Sequence, residues 1–239
     1  MRVYFWPSKP TLASARWRKL VRPLLALTFV AVLFLMGYFF RDPHPTPTVV
    51  PTGATSADEL RTQLETGTTQ QRLGALRRLI ELRSEPPLVH CLASADPAVV
   101  QLAIAGLWEC WLEECGHEAR RAMETGMEAM EAGELASAAG AFHALMTEHP
   151  GWAEAINKLA TVLYLQGRPE ESIGYCHRVV ALKPDHFGAW NGMAVCAIQV
   201  EDWLLALHAV EESIRLQPHS RSNLQLLQLV QSRLRQQEA

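Results

Sequence analysis

Cys110, Cys115 and His117 form a C-x4-C-x-H run, which combines the thiolate sulfur and imidazole nitrogen that hold zinc. On a helix, however, five residues rotate Cys115 about 140 degrees away from Cys110, so the two sulfurs leave different faces and cannot share one tetrahedral ion. His90-Cys91 and Cys176-His177 place a thiol beside an imidazole, the residue types of a nucleophile and its base. Adjacent helical side chains diverge, which keeps their reactive atoms apart. No glycine-rich phosphate loop, GxSxG elbow or HExxH helix occurs. The expectation is a chain without catalytic residues, metal or cofactor. One alternative use of the thiols is regulatory: oxidation of Cys110 or Cys115 would change helix packing and make the protein a redox-responsive regulator. The five cysteines, Cys91, Cys110, Cys115, Cys176 and Cys196, are odd in number and widely spaced, unlike a disulfide framework.

These side chains sit in segments of helical periodicity, and charge divides the chain before any motif does. Residues 1–41 carry seven Lys or Arg and no acid, whereas residues 57–239 carry 15 basic against 24 acidic residues. An acidic body repels a phosphate backbone, so the expected partners are proteins and not nucleic acid. Residues 23–40, PLLALTFVAVLFLMGYFF, are 18 uncharged residues. As a helix they would extend about 27 Å, close to a hydrocarbon core, and they predict a single transmembrane anchor in the lipid bilayer. Arg2, Lys9, Arg16, Arg18, Lys19 and Arg22 precede the run, so the positive-inside rule leaves the N-terminus on the cytosol-equivalent side. A cleaved signal peptide competes with this reading, but the run is long and Gly37-Tyr38-Phe39-Phe40-Arg41 offers no small-x-small site. Residues 1–22, basic and acid-free with Ser and Thr, also have the composition of an organelle-targeting extension.

Pro43, Pro45, Pro47 and Pro51 make residues 41–56 an extended spacer, after which Ser56 or Asp58 can cap a first helix. Within residues 57–116, Leu73, Leu76 and Leu79 are answered 31 residues later by Ile104, Leu107 and Cys110. Asp96-Pro97 opens the second long helix, and Pro86-Pro87 reads as a break between two helical hairpins. This spacing resembles HEAT repeats. The plainer alternative is two hairpins that pack on the next segment and complete its core.

Pro150, Pro184 and Pro218 recur at 34-residue intervals, each closing a helical stretch. With these prolines at position 32, the repeats are 119–152, 153–186 and 187–220. Position 8 is then Gly126, Ala160 and Ala194, and position 20 is Ala138, Ser172 and Ala206. The turn at position 15 is Gly133 and Gly167, with Glu201 as the exception, and position 4 is Ala122, Ile156 and Trp190. On these residues the segment resembles the tetratricopeptide-repeat family over about 100 of 239 residues. After Pro218, Leu224, Leu226, Leu227, Leu229, Val230 and Leu234 predict a capping helix, so residues 117–239 form the repeat domain. The expected fold is all-α: one N-terminal transmembrane helix followed by an α-solenoid.

The resemblance implies a protein-binding groove lined by helix-A positions 2, 5, 9 and 12. Those are Arg120, Met123, Met127 and Met130 in repeat one; Glu154, Asn157, Thr161 and Tyr164 in repeat two; and Gly188, Asn191, Val195 and Ile198 in repeat three. Asn157 and Asn191 then stand one repeat apart, as two amides able to pair with a bound backbone, while the methionines adapt to apolar side chains or touch the HEAT-like segment. Family members that clamp a chaperone's C-terminal carboxylate use cationic and amide side chains where this chain has Met123, Met127, Lys158, Gly188 and Gly192, so that ligand is not expected. HPGWAEAINKLATVLYLQG followed by KPDHFGAW is similar to repeat proteins of plastids and some proteobacteria. The similarity implies a plastid membrane, with a bacterial inner membrane as the alternative. The expected role is a membrane-anchored scaffold, assembly factor or accessory subunit of a membrane complex.

Overall fold

The computed structural model describes residues 56–237, and the anchor expected at 23–40, the segment before it and residues 41–55 of the expected spacer lie outside the described residues. Ser56 caps α1 (Ala57–Thr66) and Thr68 caps α2 (Thr69–Glu81), each through a reciprocal box with Glu59 or Gln71 that satisfies otherwise orphaned N–H groups. Pro86 and Pro87 do not break the chain as expected. They occupy the first turn of α3 (Glu85–Cys91), where a missing N–H costs nothing. Asp96 caps α4 (Pro97–Leu112), accepting from the Ala98 N–H at 2.9 Å. Arg72 ties this end down through Asp96 at 2.8 Å and the Glu65 carbonyl at 2.8 Å.

Helix α4 is apolar nearly all round, and such a helix must be enclosed. Val99, Ala103, Leu107, Trp108, Cys110, Trp111 and Leu112 are all buried. Gly106 lets it approach its neighbours: a Cβ there would lie 2.7 Å from Leu76 and 3.0 Å from Leu88. Leu76, Leu79, Leu107 and Cys110 are core residues as the pattern predicts, but Leu73 is exposed because its helix has turned that position outward.

Six helices in three pairs follow: α5 (Gly116–Glu131) with α6 (Leu135–Glu148), α7 (Ala153–Leu165) with α8 (Pro169–Leu182), and α9 (Phe187–Gln199) with α10 (Trp203–Leu216). The 34-residue period is visible in the hydrogen bonds. Each first helix closes with the same bond, from the N–H of Glu134, Arg168 and Asp202 to the carbonyl of Ala129, Leu163 and Ala197, at 2.9 Å in all three. That closure needs a left-handed residue, supplied by Gly133 (φ +78), Gly167 (φ +79) and, despite its side chain, Glu201 (φ +61). The second helices end alike, with His149, Lys183 and Gln217 donating to Leu145, Val179 and Ser213. Within a pair the small residues meet. Ser172 donates to the Ala160 carbonyl at 2.7 Å, and in repeat one a Cβ on Gly126 would fall 2.6 Å from the buried Phe142 ring. The last helix, α11 (Arg221–Gln237), packs on α10 through Val230. Among the described residues no helix is long and apolar enough to cross a membrane.

Candidate protein-binding groove

The first helices of the pairs, α5, α7 and α9, carry the positions expected to line a groove, yet the near end of that surface is already covered. Trp108 and Trp111, one turn apart on α4, lie against repeats two and three. The Trp111 ring stacks on His186 at 4.2 Å and 16°, and Trp108 meets Phe187 edge-on at 5.4 Å. A Cβ at Gly188 would stand 3.2 Å from the tip of Trp108, a close approach that the indole could relieve by shifting a few tenths of an ångström. The contact is fixed by polar bonds at its edges. Trp152 Nε1 donates to the Trp111 carbonyl at 2.7 Å and Trp111 Nε1 donates to Glu85 at 2.9 Å. Lys183 Nζ then bridges Glu85 at 2.9 Å and Glu114 at 3.3 Å.

Beneath the two indoles is a buried polar floor. Glu154 and Lys158, one turn apart on α7, approach to 3.0 Å, and the ammonium also lies 4.7 Å from the Trp108 ring centre. The approach is that of an ion pair and is not directed as a hydrogen bond, since Glu154 Oε1 has no hydrogen-bond partner. Its other oxygen accepts from Asn157 Nδ2 at 3.2 Å and lies 3.1 Å from His186 Nε2. His186 Nδ1 accepts the Ala189 N–H at 3.1 Å as the cap of α9, which assigns the proton to Nε2 and makes that nitrogen the donor to Glu154. Burial pushes the Glu154 carboxyl up, but Lys158 and His186 outweigh burial and hold it below the ordinary carboxylate range.

Several side chains expected on an open groove are therefore interior. Glu154 is 0% and Asn157 5% exposed, because α4 covers them, and the Asn157 amide is engaged by Glu154. Met123 and Met130 are buried in a core with Leu112, Phe142 and Trp152, and Met127 packs at its edge. Arg120 is held by Glu109 at 2.9 Å, Glu113 at 2.8 Å and Glu124 at 2.8 Å, which places it in the joint between α4 and α5. The second hairpin, α3 with α4, consequently reaches past repeat one, to repeats two and three. Thr161, Tyr164, Asn191, Val195 and Ile198 are half-buried, and the Asn191 Oδ1 is buried without a hydrogen-bond partner. Sequence reasoning missed Trp108, Trp111, Lys158 as a floor residue, and His186. Two tryptophans at i, i+3 and a Glu/Lys pair at i, i+4 were legible as same-face pairs.

Burial raises the Cys110 thiol to about 11 and also raises Cys115. Among the described residues no three His, Cys, Asp or Glu side chains converge as metal ligands.

Small residues at the pair contacts, a left-handed closure of each first helix and a hydrogen-bond pattern repeating every 34 residues define a tetratricopeptide-like helical-repeat array. No protein-family model matches the sequence, and no curated protein does. Among solved structures the chain is similar to the first repeat domain of Spaghetti (RPAP3) bound to the HSP90 peptide SRMEEVD, at 16% identity and a TM-score of 0.48, covering 48% of this chain and 92% of that one. It is also similar to the Sgt2 repeat domain from Aspergillus fumigatus, at 16% identity and a TM-score of 0.48, covering 51% and 82%.

Proposed function

We propose that the protein is a non-catalytic scaffold that binds a segment of another protein on the far half of its concave face, tethered to a membrane by residues 23–40 as an assembly factor or accessory subunit of a membrane complex. The observation that carries the reading is the uncharged strip left beside the indoles. Thr161 and Val195, Tyr164 and Ile198 are pairs one repeat apart, and one turn before Val195 the Asn191 side-chain carbonyl oxygen is buried without a hydrogen-bond partner. Half-exposed side chains in a repeating row suit an extended segment, and a buried amide without a partner suits one of that segment's N–H groups. A carboxylate clamp is not part of this proposal, since Lys158 is spent on Glu154. The 18-residue apolar run supports the tether, and the likeness of HPGWAEAINKLATVLYLQG to plastid repeat proteins favours a plastid membrane, with a bacterial inner membrane as the alternative.

The test is copurification from detergent-solubilised native membranes. Asn191→Ala with Val195→Glu changes the strip without removing any protein hydrogen bond to the Asn191 oxygen, so the fold is retained while specific partners are lost. Retention of the same partners in unchanged stoichiometry contradicts the groove as the contact surface.

A further inference from the structure

We propose that α11, besides closing the repeat array, forms a third row of the binding strip, and that the strip takes an extended, uncharged, aliphatic segment of a partner protein. The inference rests on the concave face being the binding surface, and adds how far that surface runs and which chemistry it accepts. Adding one 34-residue period to Gly188, Asn191, Val195 and Ile198 of α9 gives Ser222, Gln225, Leu229 and Ser232 of α11. The buried residues of α11 are Asn223 and Val230, and one period earlier stand Ala189 and Cys196, both buried on α9. Each helix packs with this side on the helix before it, α9 on α8 and α11 on α10, so both turn the same side to the groove.

Two rows then cross α7, α9 and α11. One is of carboxamides, Asn157, Asn191 and Gln225, and the other is apolar, Thr161, Val195 and Leu229. Asn157 is engaged by Glu154, the Asn191 Oδ1 is buried without a partner, and Gln225 is exposed. The hydroxyl protons along the strip are already used: Thr161 Oγ1 donates to the Asn157 carbonyl at 3.0 Å, and Ser232 Oγ to the Leu229 carbonyl at 2.7 Å. What the strip offers a ligand is therefore two carboxamides and the apolar row. A carboxamide carries both a donor and an acceptor and so matches the N–H and C=O of a main chain. Asn191 and Gln225 hold an extended backbone while its aliphatic side chains cover Val195 and Leu229. Helix α9 carries no charged residue, and Arg233, one turn beyond Leu229, lies 5.9 Å from the Trp203 ring of α10. A charged side chain on the strip loses water without gaining a counter-ion, a penalty that an aliphatic one does not meet.

The probe is a library of short random peptides displayed on phage and selected against the purified full-length chain, after which one enriched peptide is synthesised, labelled and titrated. Enriched sequences are expected to lack Asp, Glu, Lys and Arg across their centre and to be rich in Val, Ile and Leu. Gln225→Ala is expected to weaken binding at least about fivefold, as the loss of a neutral hydrogen bond does. Leu229→Glu is expected to weaken it at least about tenfold, since it buries a charge under the segment. Gln231→Ala makes the same change on the same helix about 120 degrees round, at another exposed position, and is expected to leave binding unchanged. Because Gln225 is exposed and alanine is the better helix former, Gln225→Ala keeps the fold, and unchanged affinity in that variant overturns the third row. Enriched peptides with charged centres, whose binding is still lost with Asn191→Ala and Val195→Glu, overturn the aliphatic chemistry and leave the groove reading standing. Peptides that bind that double variant as tightly as the wild type remove the groove reading itself.

Discussion

Replacing Lys158 by methionine keeps the length of a buried side chain and removes its charge, leaving Glu154 enclosed with the His186 ring and the Asn157 amide. At the observed 3.0 Å, a pair in an effective dielectric of about 20 attracts by about 5 kcal/mol. Breaking a buried pair on one side costs about 3–5 kcal/mol, because the remaining charge keeps its desolvation penalty. The expected loss is therefore of that size, read from urea unfolding of the purified chain. Removing both charges, with Lys158→Met and Glu154→Gln, should cost less than the sum of the single changes by at least about 2 kcal/mol. The sign with pH follows from the depressed Glu154 carboxyl. In the wild type its contribution is fully present above the unfolded value of 4.5 and is lost as pH falls below that through the folded value. Without Lys158 burial dominates, the carboxyl is raised, and acidification towards 4.5 stabilises the variant. A loss below about 1 kcal/mol with no coupling to Glu154 would refute the reasoning, since solvent-screened pairs behave that way.

Three further outcomes are expected. Gly126→Ala presses a methyl into the Phe142 ring at 2.6 Å and should lower stability by about 1–3 kcal/mol, while adding Phe142→Val, which matches the Ala194 and Val210 pair of repeat three, should recover part of it in thermal unfolding. Glu201→Gly places glycine at φ +61 and should raise the unfolding free energy by about 0.5–1 kcal/mol, whereas Gly167→Ala at φ +79 should lower it by a similar amount. Burial raises Cys91 and Cys176 to about 12 and Cys110 and Cys196 to about 11, so their contribution is fully present below the unfolded value of 9.0 and is lost as pH rises from there. Stability should be flat from pH 8 to about 9.0 and then fall towards pH 11 by about 1.4 kcal/mol per pH unit for each thiol that ionises only on unfolding. A flat profile contradicts their burial.

The repeat array was legible because its rules are local. A proline every 34 residues, a turn glycine and two small contact positions each answer to a backbone bond or a close approach within one repeat. Even Glu201, the exception in the pattern, takes the backbone angle the pattern requires. The groove was less legible because its occupancy depends on how one part of the chain folds back on another. Position 5 of repeat two reads as an open amide, yet Asn157 is interior because a helix some 50 residues earlier lies over it. Gly188 likewise occupies a groove position in register, and its lack of a side chain gains meaning only with Trp108 against it. The hydrophobicity of α4 on all sides signals enclosure without naming the surface that encloses it.

The most direct test of the account is photo-crosslinking in native membranes from the full-length chain, with a photoreactive amino acid placed at Thr161 or Val195 on the concave strip or at His143 on the exposed side of α6. The account predicts a discrete protein adduct from Thr161 and Val195 and none from His143. Adducts from His143 alone would place the partner on the opposite surface and contradict the concave face as the binding site.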